Sequence, residues 1–305
     1  MLLTQCGVTR LLDALEREGL SARRSGRRAP TRAIRTAHSA ERDPPTLARC
    51  ANVAAVAETG TRRVALVTGA AGGIGRAIAE AFGRAGYDVL AADLSPDEDG
   101  PGVPFAGDLV TREANRGAVE AAVERFGRLD VVVANAGVQH VAPIEEFPED
   151  DWERLIALLL TSPFLLAKYA WPHLRESGDG RFQVIASAHA LAASPYKVAY
   201  VAAKHGVIGL VRTLALEGAE HQISATAICP AYVRTPLVER QIESQAEAHG
   251  IPQERVLEEI ILAPHAIKRL IEPEEVADAA VFLAGPGGRS FTGVPVVMDQ
   301  GWTAR

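Results

Sequence analysis

Short apolar runs alternate with longer segments of helical periodicity from residue 64 to near the end of this 305-residue chain. When strands alternate with helices, the strands run parallel and helices cover both faces of the sheet through right-handed crossovers. The pattern predicts an α/β fold, a doubly wound parallel sheet in a single domain. We predict strands over residues 64–68, 89–93, 103–107, 129–135, 182–187, 223–229 and 294–298, and helices over residues 74–86, 112–126, 150–176, 196–220 and 274–284.

Composition favours one large domain with a small-molecule partner. The chain is 48% hydrophobic, and no linker rich in Pro, Ser or Gly divides it after residue 64, although two separate domains are an alternative. Residues 1–63 carry twelve arginines, no lysine and six acids, so the rest of the chain, within a total of −6, carries about −12. An acidic main domain argues against a nucleic-acid partner. No apolar run reaches the roughly 18 residues that span a bilayer, so we expect no membrane partner.

Cysteine usage indicates the compartment. Cys6, Cys50 and Cys229 lie far apart and lack the spacing of metal ligands. They provide no disulfide framework and fit a reducing environment, so we expect a cytoplasmic location and no metal site.

The first 62 residues differ from the rest of the chain. Arginines crowd the stretch from Arg23 to Arg35, and no acid occurs between Glu18 and Glu41. We interpret residues 1–62 as a disordered arginine-rich extension, which leaves residues 63–305 as the main domain. A translated upstream region and a mitochondrial transit peptide are the alternatives.

A glycine-rich turn, residues 68–75 (TGAAGGIG), follows the first predicted strand and opens the first predicted helix. Glycine lets the backbone approach a phosphate closely, and a helix N-terminus offers unpaired N–H groups and positive partial charge. The turn therefore predicts a site for the pyrophosphate of a dinucleotide. A tight turn without a ligand is the alternative.

Acidic and amide side chains follow the next strands. Asp93 ends the second strand, where a carboxylate can accept both ribose hydroxyls and repel a 2′-phosphate. No basic residue precedes Arg76 in the turn, so we predict NAD rather than NADP; a solvated acid at the strand end is the alternative. Asp108 follows the third strand, where its carboxylate can meet the adenine amino group. Asn135 ends the fourth strand at the carboxyl edge, where open α/β sheets bind ligands.

Tyr200 and Lys204 share one helix face, because they lie four residues apart. An ammonium group beside a phenol favours the phenolate, so we expect Lys204 to lower the pKa of Tyr200. The tyrosine can then take a proton from an alcohol as hydride leaves carbon, or donate it in the reverse reaction. Ser187, at a strand end thirteen residues before Tyr200, can hydrogen-bond the same substrate oxygen.

With these motifs the chain resembles the short-chain dehydrogenase/reductase family from about residue 64 to residue 305. The resemblance is carried by Thr68, Gly69, Gly73, Gly75, Asp93, Asp108, Asn135, Ala136, Gly137, Ser187, Tyr200 and Lys204. It implies a Rossmann-like sheet of seven strands, usually in a homotetramer, with Ser187, Tyr200 and Lys204 as the catalytic residues. It also implies a cofactor site formed by Gly69, Gly73, Ile74, Gly75, Asp93, Asp108, Leu109, Asn135, Tyr200, Lys204, Pro230, Val233 and Thr235.

A narrower resemblance, to the 3-hydroxybutyrate dehydrogenases, is carried by residues 137–148, 186–189, 197–205, 234–242, 264–269 and 301–304. A 3-hydroxy acid of four carbons has one anion and little apolar area, so its recognition needs a cation and several hydrogen-bond donors. Taken singly, Lys197 also reads as an exposed lysine at a helix start, and Trp302 as a packing residue. The resemblance implies a substrate site formed by Gln139, Ser187, His189, Lys197, Tyr200, Gln241 and Trp302.

The chain departs from the family pattern at several positions. The family usually has Asn in the long central helix, where the amide holds a water that links the lysine to solvent, and this chain has Leu159. Ser162, one turn later, is a candidate for a partial substitute. Ala231 replaces a glycine beside the nicotinamide and is tolerated only if its φ is negative. Thr226 replaces a structural Asn, and Gln300 replaces a glycine.

The sequence thus predicts an NAD-dependent oxidoreductase that interconverts 3-hydroxybutyrate and acetoacetate with a tyrosine as acid and base. Two alternatives stay open. One is a related enzyme that acts on another hydroxy acid, a sugar or an acyl thioester. The other is an NAD-binding protein without catalysis, which Leu159 and Ala231 favour. Residues 232–268 are polar with helical periodicity and are predicted to form a lid over the substrate.

Overall fold

A computed structural model describes residues 62–304 of the chain. Its seven strands form one parallel sheet in the order β3-β2-β1-β4-β5-β6-β7. The predicted parallel sheet is therefore confirmed, while the extension predicted over residues 1–62 lies, apart from residue 62, outside the described residues. The strands are β1 (Val64–Thr68), β2 (Asp88–Asp93), β3 (Val103–Ala106), β4 (Val131–Ala134), β5 (Arg181–Ile185), β6 (Ser224–Pro230) and β7 (Pro295–Met298).

Both faces of the sheet are buried, as the apolar character of its strands requires. In β1, Val64 and Leu66 face one hydrophobic cluster while Ala65 and Val67 face another. Side chains alternate between the two faces of a strand, so a continuous apolar run is the pattern of a strand with helices on both sides.

The helices are α1 (Gly73–Arg84), α2 (Arg112–Phe126), α3 (Glu149–Ile156), α4 (Ser162–Glu176), α5 (Val198–Gly218), α6 (Pro236–His249), α7 (Gln253–Val256) and α8 (Pro273–Ala284). Their ends follow local chemistry. Thr111 caps α2 by accepting a hydrogen bond from the N–H of Ala114, and Gly127 with φ 80° ends it. Helix α5 begins two residues later than predicted, because Tyr196 has a φ of 66°.

The segment predicted as one helix over residues 150–176 stays helical, but a π turn over Ala157–Thr161 separates α3 from α4. A π turn adds one residue to a helical turn and rotates everything that follows it. Pro163 lies in the first turn of α4, where its missing N–H costs little, and Pro172 lies inside the helix.

Two stretches of the described chain, Glu149–Glu176 and Val198–His221, have the length and mean hydropathy (1.4 and 1.2) of helices that could cross a membrane. Both contribute buried side chains, such as Leu166 and Val207, to the cluster on one face of the sheet. This is the arrangement of core helices in a globular domain.

The segment predicted as a lid is largely helical. It contains α6 and α7, followed by a second π turn over Leu257–Ile261. Val256, Ile261 and Leu270 belong to a small hydrophobic cluster of their own. The segment therefore packs as a unit above the carboxyl end of the sheet, where its first residues line a cleft.

Candidate active site

A cleft of about 950 Å³ opens at the carboxyl edge of the sheet. It runs from the glycine-rich turn after β1 to the first residues of α6, across the ends of β4, β5 and β6. This is where open parallel sheets bind ligands, because the connections after β1 and β4 lead in opposite directions along the sheet and leave a crevice between them. The predicted site residues that line it are Gly69, Gly73, Ile74, Asp93, Asn135, Gln139, Ser187, His189, Lys197, Tyr200, Lys204, Pro230, Val233, Thr235, Gln241 and Trp302.

The glycine-rich turn has the shape of an open cradle. Gly69 has a φ of 68°, and its N–H donates to the carbonyl of Ala92 at the end of β2. No atom lies within 4 Å of where a Cβ on Gly72 would stand, so the cleft side is free for a ligand. Gly75 does not line the cleft; a Cβ there would lie 2.0 Å from the carbonyl oxygen of Gly69. Gly75 therefore lets α1 approach the turn.

Asn135 and Thr68 hold this turn in place. The amide of Asn135 donates to the carbonyls of Thr68 (2.8 Å) and Gly69 (3.3 Å). The hydroxyl of Thr68 accepts from the backbone N–H groups of Asn135 and Ala136. Asn135 thus lines the cleft and also ties β4 to the β1 turn, which fixes the backbone that would face a pyrophosphate.

Asp93 lies at the far rim of the cradle. One carboxylate oxygen accepts from the N–H of Ala71 at 3.0 Å, and the other from the N–H of Ser95 at 3.2 Å. Arg76 is engaged elsewhere, because its guanidinium pairs with Asp97 at 2.7 Å and Glu80 at 3.1 Å. The cation that follows the glycine turn is therefore occupied by acids of the protein.

Asp108 and Leu109 do not line the cleft. The carboxylate of exposed Asp108 accepts from the N–H of Val110, and Leu109 is buried with its carbonyl bonded to Asn115. Their predicted contacts with the adenine end of a cofactor remain a prediction.

The three predicted catalytic side chains meet in the middle of the cleft. Ser187 follows β5 by two residues, and it lines the cleft together with Tyr200 and Lys204 from α5. Lys204 lies one turn after Tyr200, with its nitrogen 5.5 Å from the centroid of the tyrosine ring. Lys204 also donates to the carbonyl of Ile185 at 2.7 Å, which anchors the ammonium group behind the tyrosine.

The predicted lowering of the tyrosine pKa is wrong. Burial raises the pKa of Tyr200 to about 12, and the hydrogen bond from Ser187 opposes this rise only in part. Burial also lowers the pKa of Lys204 to about 8, since charge is disfavoured at that depth. The spacing of Tyr and Lys was read correctly, but how deeply both would be buried was not visible in it.

Leu159 occupies the π turn and is 1% exposed. It packs with Ala199, Ala203 and Tyr200 on α5, and its methyl group lies against Gly137. An apolar side chain thus fills the space beside Tyr200 and Lys204. A leucine cannot hold a water there as an amide would.

Ser162, the candidate for a partial substitute of the missing amide, is engaged elsewhere. Its hydroxyl donates to the side-chain oxygen of Asn115 on α2 at 2.7 Å, and both residues are buried. The physical reason is the π turn, which rotates Ser162 away from the face that carries Leu159.

The other departures from the family pattern are accommodated locally. In the described part of the chain the non-glycine residues with positive φ are Tyr196, Gln222 and Gln300. Ala231 therefore has the negative φ that an alanine needs at this position. Thr226 donates to the carbonyl of Phe291 at 2.7 Å. Gln300 adopts the left-handed conformation (φ 55°) that suits a glycine, and its carbonyl accepts from the N–H groups of Ala266 and Ile267.

The far end of the cleft carries the predicted substrate residues. Gln139 has a buried amide nitrogen with no hydrogen-bond partner among the described residues. His189 lies between the hydroxyls of Ser187 (3.4 Å) and Ser194 (3.0 Å), and burial lowers its pKa to about 3. It is therefore a neutral imidazole at physiological pH. Buried polar groups usually have partners, so the free amide of Gln139 indicates a ligand there.

Tyr232 is a cleft residue that the sequence reasoning missed. Its hydroxyl accepts a hydrogen bond from the ammonium of Lys197 at 3.1 Å, and its ring stacks on Trp302 with a centroid distance of 6.2 Å. The ring of Trp302 in turn packs edge-to-face against the ring of His189, with 4.9 Å between the ring centroids. The sequence feature that could have identified Tyr232 is its position two residues after the end of β6, at the edge of the sheet where ligands bind.

These residues fit a nicotinamide dinucleotide. The cradle is open on the side of Gly72, the acid at its rim faces the cleft, and the serine, tyrosine and lysine lie further along the same cleft. The glycine turn and Asp93 would hold the adenosine and pyrophosphate, and Tyr200 and Lys204 would border the nicotinamide ribose. When bound, the nicotinamide supplies the acceptor or donor of hydride.

Comparisons with known proteins agree with this geometry. A family model described as enoyl-(acyl carrier protein) reductase matches residues 69–303. An oxidoreductase of Bacillus subtilis (strain 168) is 44% identical over 258 residues, which cover 80% of this chain and 99% of that protein. A D-beta-hydroxybutyrate dehydrogenase of Rhizobium meliloti (strain 1021) is 42% identical over 256 residues, with 80% and 99% covered. The solved structure of Thermoplasma acidophilum aldohexose dehydrogenase in ligand-free form superposes with a TM-score of 0.75 at 31% identity, covering 80% of this chain and 95% of that one.

Proposed function

The chain belongs to the short-chain dehydrogenase/reductase family, and from that premise we propose that it is an NAD-dependent 3-hydroxybutyrate dehydrogenase. It is an oxidoreductase with a nicotinamide cofactor. The reaction we propose interconverts 3-hydroxybutyrate and acetoacetate by hydride transfer, with Tyr200 as acid and base.

The observation that carries the proposal is that Ser187, Tyr200 and Lys204 line the same cleft as the glycine cradle, with the Lys204 nitrogen 5.5 Å from the centroid of the Tyr200 ring. Two hydroxyls on one side of a cleft can both bond the oxygen of an alcohol. Ser187 orients that oxygen, and Tyr200 exchanges a proton with it. Lys204 lies behind the phenol, with its nitrogen 5.5 Å from the ring centroid, and Tyr200 gives its proton to the substrate oxygen when the ketone is reduced to the alcohol.

Asp93 supports NAD as the cofactor. Its carboxylate is fixed at the rim of the cradle by two backbone N–H groups, and Arg76 is paired with Asp97 and Glu80. A 2′-phosphate would meet the negative charge of Asp93, while Arg76 at the start of α1 is already paired with two acids. Ribose hydroxyls, in contrast, would donate to that carboxylate.

The far end of the cleft supports a short hydroxy acid as the substrate. Lys197 supplies a positive charge, and the amide of Gln139 supplies a donor without a partner among the described residues. The neutral imidazole of His189 and the ring of Trp302 close the space around them. A carboxylate two carbons from the reacting carbon would reach this end while its alcohol lies at Ser187 and Tyr200.

We further propose a homotetramer in the cytoplasm, with no nucleic-acid or membrane partner. Exposed apolar side chains support association between copies: Phe282 on α8 and Val297 on β7 are 52% and 43% exposed. The ring of Phe282 lies 5.7 Å from the ring of Phe291, which is 38% exposed, and contiguous exposed apolar side chains of this kind mark sites of protein contact.

The test is the rate of NADH formation from NAD and each enantiomer of 3-hydroxybutyrate, with Tyr169→Phe as a matched control for Tyr200→Phe. We expect turnover with the acid in wild type and in Tyr169→Phe, whose residue lies on α4 beside Arg116. Turnover of a sugar or an acyl thioester in place of the acid would instead favour a related dehydrogenase with a different substrate. Tight NADH binding without turnover of any alcohol would favour a cofactor-binding protein without catalysis, the reading that Leu159 supports.

A further inference from the structure

Lys197 is the cation of the proposed substrate end, yet a lysine is a flexible group at the end of four methylene carbons. It precedes α5, whose first residue is Val198, and it follows Tyr196 with its positive φ. Among the described residues, the ammonium group bonds to Tyr232 and not to its own segment. Its position is fixed by Tyr232, whose hydroxyl accepts from the ammonium at 3.1 Å and whose ring centroid lies 5.3 Å from it.

Tyr232 is itself held from both ends. Its carbonyl accepts from the N–H of Ile271, and Val233 forms a parallel bridge with Ile271. Its ring is stacked on Trp302 with an angle of 25° between the planes, and it lies 5.9 Å from the ring of His265. A residue fixed at backbone and ring is a rigid support for a flexible lysine.

The hydroxyl of Tyr232 keeps a donor after it has accepted from Lys197. A phenol has one O–H to donate and lone pairs to accept, and an ammonium group has three N–H donors. With one N–H spent on Tyr232, Lys197 retains two for a ligand. The two residues therefore present adjacent N–H and O–H donors to the same region of the cleft, which both line.

We propose, on the basis of the proposed function, that Tyr232 and Lys197 form a two-donor clamp for a substrate carboxylate, and that Tyr232 makes the site selective for acids. Lys197 donates to one carboxylate oxygen, and the Tyr232 hydroxyl donates to the other. Charge-assisted hydrogen bonds of this kind are the strong ones. A neutral alcohol or an ester offers no second anionic oxygen, so it gains little from the clamp.

The test compares 3-hydroxybutyrate with its methyl ester in wild type, Tyr232→Phe, Lys197→Met and the double variant. Tyr232→Phe should raise KM for the acid roughly tenfold or more, which corresponds to one charge-assisted hydrogen bond, with kcat changed less than about twofold. KM for the ester should stay unchanged. In the Lys197→Met background the same tyrosine change should have a smaller effect, because the partners act together.

Tyr196→Phe is the matched control, since this neighbouring tyrosine is 58% exposed and does not line the cleft. It should leave both KM values unchanged. An equal rise in KM for acid and ester in Tyr232→Phe would overturn the clamp, because it would show a packing role. An unchanged KM for the acid would overturn it as well.

A second measurement separates the clamp from the proposed reaction. Butyrate, which cannot react, is titrated into the complex with NADH, and binding is followed by nicotinamide fluorescence. If wild type binds butyrate and Tyr232→Phe binds it about tenfold more weakly, the clamp stands even where 3-hydroxybutyrate is not turned over. If 3-hydroxybutyrate is turned over and Tyr232→Phe binds butyrate like wild type, the clamp fails and the proposed function stands.

Discussion

The two ends of the cleft are built in different ways. The cofactor end is made mostly of backbone: a glycine turn bonded to Ala92 and tied to β4 by Asn135. The substrate end is made of side chains from segments far apart in the chain, including Gln139, Lys197 and Trp302. The backbone end depends on local sequence, while the side-chain end depends on how distant segments pack. The first is therefore readable from local motifs, whereas the substrate residues were predicted only through the resemblance to the 3-hydroxybutyrate dehydrogenases, which did not include Tyr232.

Replacing Tyr200 with Phe should separate the rate of the chemical step from binding at the two ends of the cleft. The variant loses the group that exchanges the proton, so kcat should fall by about a thousandfold or more. The affinity for NADH should change little, because the cradle is formed by other residues. Steady-state rates and a fluorescence titration of NADH measure the two quantities. A variant that keeps most of its kcat would remove Tyr200 from the mechanism.

Replacing His189 with Gln tests the substrate end through the pH dependence of the protein's stability. The pKa of His189 is about 3 in the fold and near 6.5 in the unfolded chain, so the unfolded state binds the extra proton between these values. Wild type should therefore lose stability relative to His189→Gln as the pH falls below 6.5, by on the order of 2 kcal/mol at pH 5.

Urea unfolding of both proteins at pH 7 and pH 5 measures this difference. His221→Gln is the control, because that residue lies in a turn after α5, away from the cleft. If the stability difference between wild type and His189→Gln is the same at both pH values, the imidazole is not kept neutral by burial.

Asp93→Asn should change the cofactor end alone. Loss of the negative charge weakens the hydrogen bonds to ribose hydroxyls and relieves repulsion of a 2′-phosphate, so the preference for NADH over NADPH should fall roughly tenfold. Fluorescence titrations with both cofactors give the ratio of Kd values. Asp108→Asn provides the contrast: if Asp108 contacts the adenine as predicted, both Kd values rise and their ratio stays the same.

Leu159→Asn should have the smallest effect and should raise kcat, by up to about tenfold, because an amide beside Tyr200 and Lys204 can hold a water that relays protons. Leu155→Asn is the matched control, since Leu155 is equally buried in the same cluster. The control should lose stability without gaining rate. An unchanged or lower kcat in Leu159→Asn would end the relay argument.

Much of the fold was readable because local chemistry sets its elements. Helix α2 has the predicted bounds, since Thr111 caps its start and Gly127 ends it. The meeting of Ser187, Tyr200 and Lys204 was also readable, because a strand end and a four-residue helix spacing fix their directions.

The rest depended on tertiary packing. Ser162 was assigned to the wrong face, because a π turn inserted before it has no clear sequence signal. The pKa of Tyr200 was predicted in the wrong direction, because the depth of burial is set by the whole domain. Tyr232 was missed because its role depends on Trp302, a residue seventy positions later in the chain.

A crystal structure of the protein with NAD and 3-hydroxybutyrate tests the central claim most directly. The account predicts the substrate hydroxyl within about 3 Å of both the Ser187 and the Tyr200 hydroxyls, with the substrate carboxylate at Lys197. A substrate whose oxygen lies away from Tyr200, or a dinucleotide bound outside the glycine cradle, would contradict it.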